Sequence, residues 1–376
     1  MQRPRLVPLC AALAGILTLI VVFSPFIALA LPGAWKRHVY HEISFQVIAQ
    51  NDLPRSGSKE DLVFAAVDYT RARVWIFQDS RPYSGHAFDY LVEGVGWCDY
   101  QAKVLCMLLA AAGLHTRYDF LKDQDGVSPH TIAEVRLRGK WRAIDPFFDL
   151  NYLDAAGDWA SLEAVTPELV RQLPDVSMLK NVNEPLYRNI SDVAQRTLPL
   201  RHDPQRSDDF LAEKHIFDFA AAAYVKLFGA RFANKYQDIY LKRYLATIID
   251  PIDRRWQEAR NYHLYQRREK AEPLYRAILA DPSASKYHER STLFLARLLI
   301  RSGRYADAAA TLEAFVRRFP DEHWPYFQLA FCYEQLGKRQ QAIDTYQTYQ
   351  RLHGRKYSVE AEKHLVALIQ KPLTVR

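Results

Sequence analysis

The chain has 376 residues, 49% of them hydrophobic and 25% charged, a composition that fits two or three globular domains and excludes a largely disordered protein. The formal net charge is +7, but no dense Lys/Arg block occurs. The most basic stretch, from Arg254-Arg255 to Arg267-Arg268, is interleaved with Glu258 and Glu269 and reads as a solvated helix face, so nucleic acid is not expected as a partner.

The four cysteines, Cys10, Cys98, Cys106 and Cys332, fit neither a paired-cysteine zinc site nor a disulfide framework, and no metal or other cofactor is expected. Residues 6–35 carry no charge, with Arg3 and Arg5 before them and Lys36-Arg37 after. The apolar run 9–30 is 22 residues long, enough to span a bilayer as a helix and longer than a secretory apolar region. An uncleaved signal anchor over 1–36 is therefore expected, in preference to cleavage at Ala28-Leu29-Ala30. This predicts a single-pass membrane protein with its main domains extracytoplasmic, periplasmic or outside.

Residues 40–49 alternate loosely and read as a strand. A polar turn follows at 51–59, and Ser58 with Asp61 three positions on predicts a capped helix over 61–77. Residues 81–96, with Pro82, Gly85, Gly94 and Gly96, read as a loop feeding into Cys98. From Cys98 an apolar stripe of Ala102, Leu105, Leu109 and Ala112 predicts a helix that Gly113 stops. A cysteine at a helix start meets unpaired N–H groups and the positive end of the dipole, both of which favour the thiolate. Cys106 lies inside the apolar pattern and is assigned to the core.

Residues 114–121 read as a strand. The segments 130–138 and 140–146 read as strands of a hairpin turning at Arg138-Gly139. If Leu137 pairs with Lys140, His130 lies opposite Phe147 and Asp145 opposite Ile132. That register makes Asp145 a diagonal neighbour of His130 on one sheet face, within reach of a hydrogen bond. Cys98, His130 and Asp145 then have the types and placement of nucleophile, base and orienting carboxylate.

The motifs Gly-Trp-Cys98-Asp-Tyr-Gln-Ala, Ala-Gly113-Leu, Pro129-His130-Thr-Ile-Ala-Glu134-Val and Gly139-Lys-Trp141-Arg-Ala-Ile-Asp145-Pro146 resemble the transglutaminase-like cysteine acyl-transferase superfamily. The resemblance implies a papain-like α+β core with an antiparallel sheet and a Cys98, His130, Asp145 triad. Its members include cross-linking enzymes, amidases, peptidases and inactive scaffolds. One departure is Thr131-Ile132, where the family often has Ala-Trp; it alters the wall beside the histidine.

Beyond the hairpin, 149–159 reads as a turn-rich exit, 167–173 as a short helix and 181–206 as a long loop. Residues 208–249 read as a helical pair broken at Gly229, with many aromatics. In the last third, Leu295-Ala296, Gly303 and Ala308 recur 34 residues later as Leu329-Ala330, Gly337 and Ala342. Residues 251–352 thus resemble about three tetratricopeptide repeats, with 359–369 as a capping helix. The expected organisation is an anchor over 1–36, a transglutaminase-like domain over 37–165, a connector over 166–250 and an all-α solenoid over 251–370. The expected function is a membrane-anchored cysteine acyl-transferase, or amidase or peptidase, acting on a peptide or protein through a thioester. The alternative is a catalytically silent scaffold. In either case the repeats would bind a protein partner.

Overall fold

A computed structural model describes residues 6–30, 33–74, 86–121, 130–154, 156–164, 216–353 and 359–370. The readings of 167–173 as a short helix and 181–206 as a loop lie outside these residues. Among the described residues the chain is mostly helical, with one four-stranded antiparallel sheet, and it separates into two compact units. The first holds the described residues up to Thr247 and the second those from Ile248 onward.

The first unit is built around α5 (Cys98–Ala111). Its buried stripe, which includes Ala102, Leu105 and Leu109, packs on β1 (Thr116–Leu121) and β2 (His130–Leu137). Gly113 follows in the left-handed conformation and turns the chain into β1. β2 continues into β3 (Lys140–Asp145) and then β4 (Leu150–Asn151), in the order β1-β2-β3-β4. Leu137 pairs with Lys140 and Ala133 with Ile144, the expected register. Arg138 and Gly139 both have positive φ, 50° and 83°, as a two-residue hairpin turn matching the strand twist requires.

Helices close the other side of α5. α1 (Leu6–Ala28), α2 (Gly33–Asp52) and α3 (Lys59–Arg73) precede it, with the seven-residue α4 (Ala87–Glu93) just before it. α3 carries the expected capping box: Ser58 Oγ accepts from Asp61 N–H at 3.0 Å, and Asp61 Oδ2 accepts from Ser58 N–H at 2.9 Å. The strand expected at 40–49 is instead part of α2. Val39, Ile43 and Val47, and likewise Tyr40, Ser44 and Ile48, recur every four residues and are all buried. α2 packs against both α5 and α6 (Ile216–Leu245), so apolar side chains point to more than one side and mimic alternation. α6 breaks at Gly229, as expected, and lays its aromatics on α1 and α2. Tyr240 stacks on Tyr40 with ring centres 3.9 Å apart.

Among the described residues no helix is long and apolar enough to cross a membrane, which leaves the expected N-terminal transmembrane helix without support there. The side chains of α1 described without a break run from 11 to 20, and all are exposed.

The second unit is all helical: α7 (Pro251–Leu264), α8 (Arg268–Ala280), α9 (His288–Arg301), α10 (Tyr305–Arg318), α11 (Trp324–Gln335), α12 (Arg339–His353) and α13 (Val359–Gln370). Successive helices pack as hairpins. The 34-residue spacing has a structural counterpart. Ala296 and Ala330 are fully buried, as are Ala308 and Ala342, while Gly303 and Gly337 turn each hairpin with φ of 71°.

The hairpin turn is open to a direct test. Gly139→Val places a β-branched side chain at φ 83° and is expected to cost about 1–2 kcal/mol, read as a lower urea midpoint.

Candidate active site

The site is assembled at one end of the sheet. His130 opens β2, Asp145 closes β3, and Cys98 is the first residue of α5, the helix packed across β1 and β2. The approach to Cys98 is closely fitted. Gly94 ends α4 with φ of 74°, and Gly96 lies so near the following helix that an added Cβ would sit 2.7 Å from Tyr100 and 3.0 Å from Val74. Gln101 Nε2 donates to Val74 O at 2.9 Å and ties the first turn of α5 to the end of α3.

His130 Nε2 lies 2.6 Å from Asp145 Oδ2, with both side chains fully buried. Cys98 is buried and interacts electrostatically with the same imidazole. With Nε2 on Asp145, Nδ1 is the ring nitrogen left for the thiol. The structure thus brings together the three side chains singled out in the sequence.

Asp145 is held at both oxygens. Oδ1 accepts backbone N–H groups from Phe147 at 2.9 Å and Phe148 at 3.1 Å, and Oδ2 accepts the Tyr152 hydroxyl at 3.0 Å as well as facing His130. Sequence reasoning missed Tyr152 because β4, which aligns it with Asp145, is only two residues long and carries no strand pattern. Phe147 and Phe148 also flank the His130 ring, with centres 5.7 and 5.1 Å away.

The electrostatics follow from this packing. Burial works against a charged His130, but the Asp145 carboxylate, then Cys98, and the hydrogen bond to Asp145 outweigh it and raise the imidazole from 6.5 to about 10. The imidazolium is therefore the form held at neutral pH. Burial, followed by the charge and hydrogen bond of Asp145, pushes the Tyr152 phenol well above its ordinary value, so it remains a donor. Burial also raises Asp99, beside Cys98.

The other described cysteines differ. Cys106 is fully buried in the core, its Sγ 3.2 Å from Arg117 O, and burial pushes its thiol far up. Burial raises Cys332 to about 12. Among the described residues Cys98, Cys106 and Cys332 are free, and no group of side chains is arranged to hold a metal ion.

Residues 48–146, which contain all three site residues, match the transglutaminase-like superfamily. This segment is a transglutaminase-like domain. Within it, Cys98 at a helix start and His130 on the adjoining sheet occupy the part of the fold just described. Residues 274–373 match the bacterial transcriptional activator domain, so the helical region from α8 onward takes that family name rather than the tetratricopeptide one. That match leaves the expected exclusion of nucleic acid without support and fits either protein or DNA interactions. No curated protein and no solved structure matches the chain.

His130 carries a pH signature. Its folded value lies above the unfolded one, so its contribution to stability is fully present below pH 6.5 and is lost as pH rises to about 10. Asp145→Asn removes the charge that opposes burial. The His130 midpoint, followed by NMR of the imidazole, is expected to fall toward 6.5, and the alkaline loss of stability to shrink with it.

Proposed function

We propose that the chain is a thiol enzyme of transglutaminase-like type, with Cys98 as nucleophile, His130 as acid and base, and Asp145 as the carboxylate that orients His130. The observation that carries this reading is a fully buried histidine between Cys98 and a carboxylate satisfied on both oxygens, one of which lies 2.6 Å away. Nothing in a purely structural role requires a charged imidazole to be held there beside a thiol.

Cys98, its thiol proton passed to His130, attacks through Sγ the carbonyl carbon of an amide in a peptide or protein. The C–S bond forms as the carbonyl electrons move to oxygen, and the Cys98 N–H at the helix start is a donor for that oxyanion. The tetrahedral species collapses, the C–N bond breaks, and His130 gives its proton to the departing amine. Water or a second amine then attacks the thioester carbonyl, His130 takes the attacking group's proton, and Cys98 leaves as thiolate. Asp145 keeps Nδ1 aimed at sulfur and stabilises the imidazolium throughout.

The helical pairs of the second unit supply the protein-binding surface in this reading, by their likeness to stacked tetratricopeptide hairpins. α1 holds the protein at a membrane, with the main domains extracytoplasmic. Its support is the uncharged run 6–35 and the exposure of Leu13, Ile16, Leu17 and Ile20.

Cys98→Ala should lose iodoacetamide labelling at neutral pH and all acyl transfer from p-nitrophenyl acetate, whereas Cys106→Ala keeps both. A Cys98→Ala protein that labels and turns over like the wild type would sink the enzyme reading and leave the silent scaffold. With an amide substrate in place of the ester, the alkaline limb of the wild-type acyl-transfer profile is expected well above 6.5, displaced toward 10, because the leaving amine needs the His130 proton.

A further inference from the structure

Asp145 sits between two strands, and the pleat places one polar neighbour on each. Leu150 of β4 pairs with Asp145, and extending the β2–β3 register puts Ile132 opposite it on β2. Residues two places along from a paired residue share its face. On β2 that residue is His130, and one step past the end of β4 it is Tyr152. Both reach the same oxygen, His130 Nε2 at 2.6 Å and the Tyr152 hydroxyl at 3.0 Å.

Tyr152 is fixed from both sides of its own backbone. Its N–H donates to Ala143 O at 3.3 Å, and its carbonyl accepts from Ala160 N–H at 2.8 Å. The ring is buried. A phenylalanine would fill nearly the same space, so packing alone does not call for a hydroxyl here.

We propose that Tyr152 is a positioning residue for the Cys98–His130 pair: by sharing Asp145 Oδ2 with His130, its hydroxyl fixes the carboxylate and draws off part of its charge, setting how tightly His130 keeps its proton. A donor on a carboxylate weakens the pull of that carboxylate on a neighbouring cation. Without the donor His130 becomes a weaker acid and gives its proton to the leaving amine more slowly. The groups that face His130 are Asp145 from β3 and Cys98 and Asp99 from α5, while Leu121, paired with it on β1, carries no charge. Removal of the Tyr152 hydroxyl therefore acts through Asp145. The proposal rests on the functional reading above, and its test is separable from it.

In the full-length protein the His130 imidazole is titrated by NMR in wild type, in Tyr152→Phe and with 3-fluorotyrosine at position 152. Phenylalanine is expected to move the midpoint up by about one unit, and fluorotyrosine, a stronger donor of the same shape, to move it down. In acyl transfer from an amide substrate Tyr152→Phe should lower kcat with KM unchanged and carry the alkaline limb upward. Coincident midpoints in the three proteins would overturn the proposal. If Tyr152→Phe does not fold, the fluorotyrosine protein decides alone, since it keeps both hydroxyl and packing. Shifted midpoints in a protein whose Cys98 neither labels nor turns over would refute the enzyme reading and leave the positioning role standing.

Discussion

A charge buried beside a histidine is the constraint on which this molecule is organised. Asp145 is fully buried, and an isolated carboxylate in that position would cost several kcal/mol in desolvation. It is tolerated because every face of it is occupied: two backbone N–H groups on one oxygen, a phenol and an imidazole on the other. The carboxylate cannot rotate without leaving one of these donors unsatisfied. That fixes the plane of His130, and with it the nitrogen presented to Cys98.

The sheet is what makes such crowding feasible. All four partners come from β2, the residue just past β4 and the turn leaving β3, and they depend on one hairpin register. A slip of one residue would send Asp145 to the opposite face and strand it in the apolar layer. The positive φ of Arg138 and Gly139 is thus as much a part of the site as the polar side chains, although it lies at the far end of the strands. α5 then needs only to lie across β1 and β2 for its first residue to meet the imidazole.

Much of this arrangement was legible in the chain because it obeys local rules. Arg138-Gly139 announces a tight turn, the turn sets the register, and the register puts His130 and Asp145 on one face. The stripe after Cys98, the Gly113 stop, the Gly229 break and the 34-residue recurrence were legible for the same reason. Elements whose identity depends on distant partners were not. α2 looked extended because α5 and α6 bury it from more than one side, and α6 is far away in sequence. α4 has seven residues and β4 two, too few to show a period. Tyr152 could not be picked out until β4 was seen, since nothing in its immediate neighbours marks it.

The burial of α2 has a consequence for how the protein can be divided. The transglutaminase-like match begins at residue 48, inside α2, and ends at 146, before Tyr152. A fragment cut to those limits would sever a helix whose buried face backs the cysteine helix. It would also discard α6, whose Tyr240 stacks on Tyr40, and the phenol that shares Asp145. The stretch that defines kinship is therefore smaller than the stretch that folds. The first unit reaches back to α2 and forward to α6, so it is completed only after residues more than ninety positions beyond the last matched residue have been synthesised.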